Sequence, residues 1–127
     1  MNDTRLDRCL ETICRFANRE FRQNKSSFQI YEEANYKNYY KELTIEKIVE
    51  RIRKDESIID EWIDFSADKR CTPSWAFMHN NEQWELRYIG VDGVPLYQLT
   101  YENRISACAH MIKLEMEALR IMDLHKR

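Results

Sequence analysis

The sequence contains few of the residues that build loops, with two glycines and two prolines in 127 residues. Both glycines fall at one bend, Gly90 to Gly93, so the chain has no glycine-rich loop of the kind that cradles phosphates. No apolar run approaches the ~20 residues needed to cross a bilayer. The length suits one hydrophobic core, and we expect a single domain over residues 1–127.

Paired cysteine motifs are also missing. The four cysteines, which show no CxxC or CxxxC spacing, are Cys9, Cys14, Cys71 and Cys108. Scattered thiols of this kind are typical of a reducing compartment. The first residues also lack the apolar core of a signal peptide, so we expect a cytoplasmic protein that does not associate with membranes.

Negative charge is concentrated in the middle of the chain. The formal net charge is −2, but residues 26–68 hold eleven acidic and six basic residues, whereas residues 1–25 hold four acidic and six basic ones. A protein whose main activity is DNA or RNA binding usually presents a basic face to phosphates. The acidic excess argues against direct nucleic-acid binding and favours a basic protein partner, although a solvated helix surface explains any single acidic residue equally well.

Apolar residues spaced by three and four predict amphipathic helices at both ends and in the middle of the chain. The first helix is expected from Thr4 to about Gln23, and the last follows an N-cap at Asn103. Start signals at Thr44 and Ser57 predict two middle helices or one bent helix, and Pro73 is expected to end the helical region.

From residue 75 the hydrophobic period changes to two, which is typical of half-buried strands. The predicted strands near 75–79 and 84–88 are joined at Asn80-Asn81, a pair that tolerates a tight hairpin. The bend from Gly90 to Gly93 leads to a third strand, Val94 to Tyr101. The sequence therefore predicts an α+β fold in which a three-strand or four-strand antiparallel meander is covered by the N-terminal and C-terminal helices, with a helical middle segment.

Tyrosine is concentrated between residues 31 and 40, which hold four of the seven tyrosines. Neither period dominates here, and we expect a short extended piece from Phe28 to Tyr31, followed by an irregular or helical stretch to Leu43. Tyrosine fills cores but is also enriched at protein interfaces, and we interpret this stretch as an exposed interface. Lysines between the tyrosines would also suit single-stranded nucleic acid, but the surrounding acidic residues weaken that interpretation.

Signals for catalysis are weak. The three histidines, which are scattered and form no metal-binding pair, are His79, His110 and His125. A Cys71 nucleophile with His79 as its base is conceivable, but such neighbours are usually incidental. Asp60 and Asp64 share a helix face, where a solvated surface is a simpler expectation than acid–base catalysis. We therefore expect no enzymatic activity, no catalytic residue, no metal and no cofactor.

Residues 75–117 carry a pattern found in a known class of protein. The pattern comprises Trp75-Ala76-Phe77, a polar hairpin, Trp84-Glu85-Leu86-Arg87-Tyr88, a glycine-containing turn, Leu99-Thr100-Tyr101, Ala107-Cys108-Ala109-His110-Met111-Ile112, and the acidic residues Glu115 and Glu117. It resembles small bacterial immunity proteins, which neutralise the toxin domains of contact-dependent growth inhibition and related polymorphic toxin systems. The resemblance covers less than half of the chain. It implies a cytoplasmic protein that binds one cognate toxin domain, often a nuclease, and blocks its active site or substrate path.

The charge distribution is compatible with that role. A nuclease holds phosphate with cationic residues, so an acidic surface bearing tyrosines can occupy the same region and speed the encounter. We expect the partner-binding residues to be Glu32, Glu33, Tyr36, Tyr39, Tyr40, Asp60, Glu61 and Asp64. The alternative is a small acidic regulatory, adaptor or inhibitor protein that acts on another protein target.

Overall fold

The computed structural model describes residues 4–68, 74–80, 83–90, 92 and 94–126. In this part of the chain the longer helices are α1 (Thr4–Cys14), α3 (Ser27–Ala34), α5 (Ile45–Lys54), α6 (Ser57–Asp68) and α7 (Arg104–Leu124). Two single-turn helices are α2 (Arg19–Arg22) and α4 (Tyr36–Tyr39), and the strands are β1 (Ser74–Asn80), β2 (Gln83–Ile89) and β3 (Pro95–Tyr101). The predicted α+β class is confirmed.

The three strands form one antiparallel sheet in the order β1-β2-β3. The register places Leu86 between Phe77 on β1 and Leu99 on β3, and both Phe77 and Leu86 are buried. Helix α7 packs on the sheet and α6 packs on β1, whereas α1 lies mainly against α3 and α5. The C-terminal helix therefore covers the sheet as predicted, and α6 is a second helix in contact with it.

The N-terminal helix ends earlier than its apolar pattern predicts. Helix α1 ends at Cys14, and the chain turns before α2 begins. The side chain of Asn18 accepts a hydrogen bond from the amide of Phe21 at 2.9 Å and caps α2. Asparagine competes for main-chain hydrogen bonds and favours caps over helix interiors, which explains why one predicted helix is two.

The extended segment predicted from Phe28 to Tyr31 is wrong, because these residues lie in α3. A capping box starts this helix: the Ser26 hydroxyl accepts from the amide of Gln29 at 3.1 Å, and the Gln29 side chain accepts from the amide of Ser26 at 3.3 Å. Asn35 ends the helix with a φ of 61°, in the left-handed region that asparagine tolerates. Local capping therefore sets a helix that the apolar period does not reveal.

The middle of the chain forms two helices. Thr44 caps α5 as predicted, with its hydroxyl accepting from the amide of Lys47 at 3.3 Å. Helix α6 begins at Ser57, and Asp55 accepts from both the amide and the hydroxyl of Ser57. Four residues with predicted roles lie outside the described part of the chain: Pro73, which is expected to end the helical region, and the turn residues Asn81, Val91 and Gly93.

The core is centred on Trp62 of α6, which is fully buried. Its ring stacks on Phe16 with centroids 5.6 Å apart and meets the edge of Phe65 at 5.7 Å. Such pairs add to the stabilisation that burial itself provides. The stacking of Trp62 on Phe16 holds α6 against the turn that follows α1.

No helix in the described part of the chain is long and apolar enough to cross a membrane.

Candidate protein-binding surface

Helix α6 turns one face to solvent. The exposed residues of this face, spaced by three and four along the helix, are Ser57, Asp60, Asp64 and Ala67, and we call them the α6 acidic face. No described residue forms a hydrogen bond or ion pair with the carboxylate of Asp60 or Asp64. The helix contains four acidic residues and no basic one. The carboxylates of Asp60 and Asp64 are therefore available to a partner.

Glu61 points the other way and is held inside the molecule. Its Oε2 accepts hydrogen bonds from Nη1 of Arg15 at 3.1 Å and from Nδ2 of Asn18 at 2.8 Å. Arg15 also binds Asp55, at the start of α6, at 3.1 Å. The predicted role of Glu61 in an open contact surface is corrected: this carboxylate ties α6 to the turn that follows α1.

The acidic residues of α3 form a separate group. Glu32 and Glu33 are exposed, and Glu33 is 3.2 Å from Nζ of Lys25. The guanidinium of Arg22 lies over the ring of Phe65 on α6, 4.8 Å from its centroid. The basic residues Arg22 and Lys25 therefore contact α6 and α3, respectively. No hydrogen bond or ion pair between described residues joins the acidic residues of α3 to those of α6.

Tyr36 lies in the core, so its predicted exposure is wrong. The side chain is fully buried, and its hydroxyl donates to Oε2 of Glu117 at 2.7 Å. Burial, together with the neighbouring carboxylate, raises the pKa of Tyr36 far above its usual value. The ring lies 6.1 Å from that of Tyr31, which is also buried, because α3 and α4 pack this aromatic row against α7.

Tyr39 and Tyr40 are half-buried. The guanidinium of Arg120 lies 4.0 Å from the centroid of the Tyr40 ring, and the ammonium of Lys113 donates to the Tyr40 main-chain oxygen at 2.6 Å. Cations placed over aromatic rings in this way stabilise packing. These two tyrosines reach solvent only in part, and contacts with α7 already occupy Tyr40.

Exposed apolar residues lie elsewhere, at the end of α7, where Met122 and Leu124 are exposed, and on and beside β3. Tyr97 is 65% exposed and Leu96 is 59% exposed, and Val94 and Leu99 are exposed as well. Residues 94–101 contain no charged residue in a chain that is 33% charged. That uncharged run is the signal by which the sequence could have identified this second surface.

The three cysteines in the described part of the chain are buried. Burial raises the pKa of Cys9 and of Cys14 to about 12, and burial also raises the pKa of Cys108. A thiol protonated at neutral pH is a poor nucleophile. His79 is exposed and stacks on Trp84 with centroids 4.1 Å apart, while its proposed partner Cys71 lies outside the described residues.

Between α1 and α5 there is an open groove of about 840 Å³. It is lined mainly by charged residues of both signs, among them Asp7, Arg8, Glu11, Lys47 and Lys54. Small-molecule sites are usually more apolar, with a few convergent polar groups. Within the described residues, no three His, Cys, Asp or Glu side chains are grouped so that they could hold a metal ion.

Comparison with known protein families, with curated proteins and with solved structures found no match for this chain.

Proposed function

We propose that this chain is a non-catalytic binding protein that neutralises a toxin domain by covering its cationic surface, as the immunity proteins it resembles do. The observation that carries the proposal is the α6 acidic face, where Asp60 and Asp64 are exposed and have no intramolecular partner among the described residues. A nuclease domain must present positive charge to phosphate. An acidic helix face is complementary to that surface.

The placement of α6 supports the proposal because the face is held rigidly. Ile58, Ile59 and Trp62 on the opposite side of the helix are buried, and Glu61 anchors the helix to the turn that follows α1. A preorganised surface loses little conformational entropy when it binds. Asp60 and Asp64 also need not break an internal ion pair, whereas Glu33 would have to leave Lys25.

The carboxylates are expected to act mainly on the rate of association. Opposite charges on two proteins steer their encounter, and the effect weakens as salt screens it. Apolar and aromatic contacts would then slow dissociation, and the exposed edges of Tyr39 and Tyr40 remain candidates for that role. The alternative function, a regulatory or adaptor protein, differs in the identity of the partner.

The first experiment identifies the partner. The chain is co-expressed with the product of the gene immediately upstream, and the mixture is passed through gel filtration. A stable one-to-one complex, together with protection of cells that express the upstream protein, is the expected result. A partner that is harmless to cells would favour the adaptor function. Catalytic turnover by the isolated chain would overturn the proposal.

The second experiment tests the surface with a matched pair of variants. The double substitution Asp60→Lys and Asp64→Lys reverses the α6 acidic face, and Glu46→Lys with Glu50→Lys makes the same charge change on α5. Both pairs are exposed and four residues apart. The α6 variant should lower the association rate at low salt by about tenfold or more and flatten its salt dependence, while the α5 variant should change it much less. Equal losses in both variants would contradict the site.

Glu61 is left unchanged in this design. It is half-buried against Arg15 and Asn18, so a lysine there would disturb the fold as well as any surface. A variant that combined it with Asp60 could lose binding through unfolding alone.

A further inference from the structure

The two outer strands of the sheet have different surroundings. Because the order is β1-β2-β3, β1 and β3 each have one edge that pairs with no strand of this sheet. On β1, the amide of Phe77 donates to the hydroxyl of Ser66 at 2.6 Å, and α6 packs against the strand. The outer edge of β3 forms no hydrogen bond with any described residue.

Open edges are normally protected, because their unpaired amides and carbonyls are templates for another strand. The common devices are charged side chains, proline, bulges or a covering helix. Pro95 begins β3, and the register shifts there, because Tyr88 of β2 pairs with Tyr97 whereas Ile89 pairs with Pro95. The regular part of the strand, Tyr97–Tyr101, contains no charged residue and no proline. The sequence of Tyr97–Tyr101 therefore contains none of the residues that discourage pairing with another strand.

We propose that two copies of this chain pair through the outer edges of β3, antiparallel and related by a two-fold axis. The sheet then continues across both copies. Gln98 is the midpoint of Pro95–Tyr101, so the alignment of greatest overlap sets Gln98 opposite Gln98 of the second copy. The same alignment sets Tyr97 opposite Leu99 twice, so that two apolar side chains can pack against each other at both places.

The chemistry of the edge favours a second copy over a different partner. An uncharged strand gains no electrostatic attraction from a basic or an acidic segment, whereas an identical strand matches its length and its apolar character. The alignment also opposes no like charges, because Pro95–Tyr101 contains no charged residue. Self-complementary pairing of this kind is what a two-fold interface requires.

This inference does not rest on the proposed function. The α6 acidic face belongs to the helix that packs on β1, at the other edge of the sheet. Pairing through β3 leaves that helix free to bind a partner. Failure of one proposal therefore leaves the other standing.

The first test measures association of the full chain by sedimentation equilibrium up to about 200 µM, a range that detects weak dimers. We expect a reversible dimer whose dissociation constant rises about tenfold or more in Tyr97→Lys and in Leu96→Lys, because lysine on an edge strand discourages pairing with another strand. Met122→Lys, on an exposed residue of α7, is the matched control and should leave it unchanged. A monomer at every concentration, or a dimer insensitive to both edge substitutions, would overturn the proposal.

A second test does not depend on lysine variants that could disturb folding. Gln98→Cys is made together with Cys71→Ser, since the other three cysteines are buried. Mild oxidation should link two copies through residue 98, because residues that face each other across antiparallel strands lie within disulfide range. Met78→Cys, an exposed residue on β1, is the control and should remain unlinked. Equal linking of both variants would contradict the alignment.

Discussion

The indole nitrogen of Trp62 donates a hydrogen bond to the main-chain oxygen of Cys14, 3.0 Å away, in the centre of the molecule. Cys14 is the last residue of α1, where carbonyl groups lack partners within the helix. The bond therefore satisfies the end of one helix and fixes the position of another. That second helix is α6, which carries the proposed binding face.

Trp62→Phe is expected to destabilise the fold while keeping most of the aromatic volume. The substitution leaves the buried Cys14 oxygen without its donor, which costs about 1–3 kcal/mol in the free energy of unfolding. Urea denaturation measures the loss. Trp84→Phe is the control, because Trp84 is half-buried and lies on the sheet, and a smaller loss is expected there. Equal losses would show that the hydrogen bond contributes little.

Arg15→Met tests the ionic cluster between α1 and α6. Glu61 is the most buried of the carboxylates that bind Arg15, with a side chain 19% exposed. Glu61 loses a charged hydrogen-bond donor in this variant. We expect a loss of about 1.5–3 kcal/mol in the free energy of unfolding, the range for hydrogen bonds to charged groups. Chemical denaturation at low and high salt measures it.

Arg104→Met is the matched control for that variant. Arg104 pairs with Glu56, and both side chains are largely exposed. Surface ion pairs of this kind contribute about 0–1 kcal/mol and are screened by salt. An Arg15→Met variant no less stable than Arg104→Met would contradict a structural role for the cluster.

Strong hydrophobic periods were sufficient to predict much of the fold. The alternation after residue 75 predicted the meander, and the apolar stripe of α6 predicted the exposure of Asp60 and Asp64. The hydrophobic period gave wrong predictions at Asn18 and Ser26. At both positions a side-chain hydrogen bond starts a helix that the apolar period does not indicate.

Partners that are distant in sequence account for the remaining errors. Tyr36 and its acceptor Glu117 are 81 residues apart, and Glu61 and Arg15 are 46 residues apart. A pattern within one segment does not reveal which segment will cover it, so both residues were assigned to an open surface. The sequence does not reveal the open edge of β3 for a different reason, because the order of the strands in the sheet decides which strand is left at an edge.

The buried thiols predict slow chemical labelling. Cys9, Cys14 and Cys108 are enclosed in the core, and burial raises the pKa of each thiol. In a Cys71→Ser variant at about pH 8, we expect labelling by a disulfide reagent only as fast as the protein opens, and rapid labelling once it is denatured. Rapid labelling of the folded variant would show that one of these thiols is accessible.

Glu117 is expected to make the fold sensitive to acid. Burial raises the pKa of its carboxyl, but hydrogen bonds from Arg120 and Tyr36, together with nearby positive charges, outweigh this and hold the pKa below its ordinary value of 4.5. A carboxylate with a lowered pKa stabilises the folded state above the ordinary pKa, and that contribution is lost as the pH falls through the lower folded value. Unfolding is therefore measured from about pH 6 to about pH 3 for the wild type and Glu117→Gln. The difference in the free energy of unfolding between the wild type and Glu117→Gln should be greatest near the upper end of this pH range and should shrink towards the lower end. Glu46→Gln removes an exposed carboxylate and is the control for the loss of one carboxylate. A difference between the wild type and Glu117→Gln that grew as the pH fell would contradict the prediction.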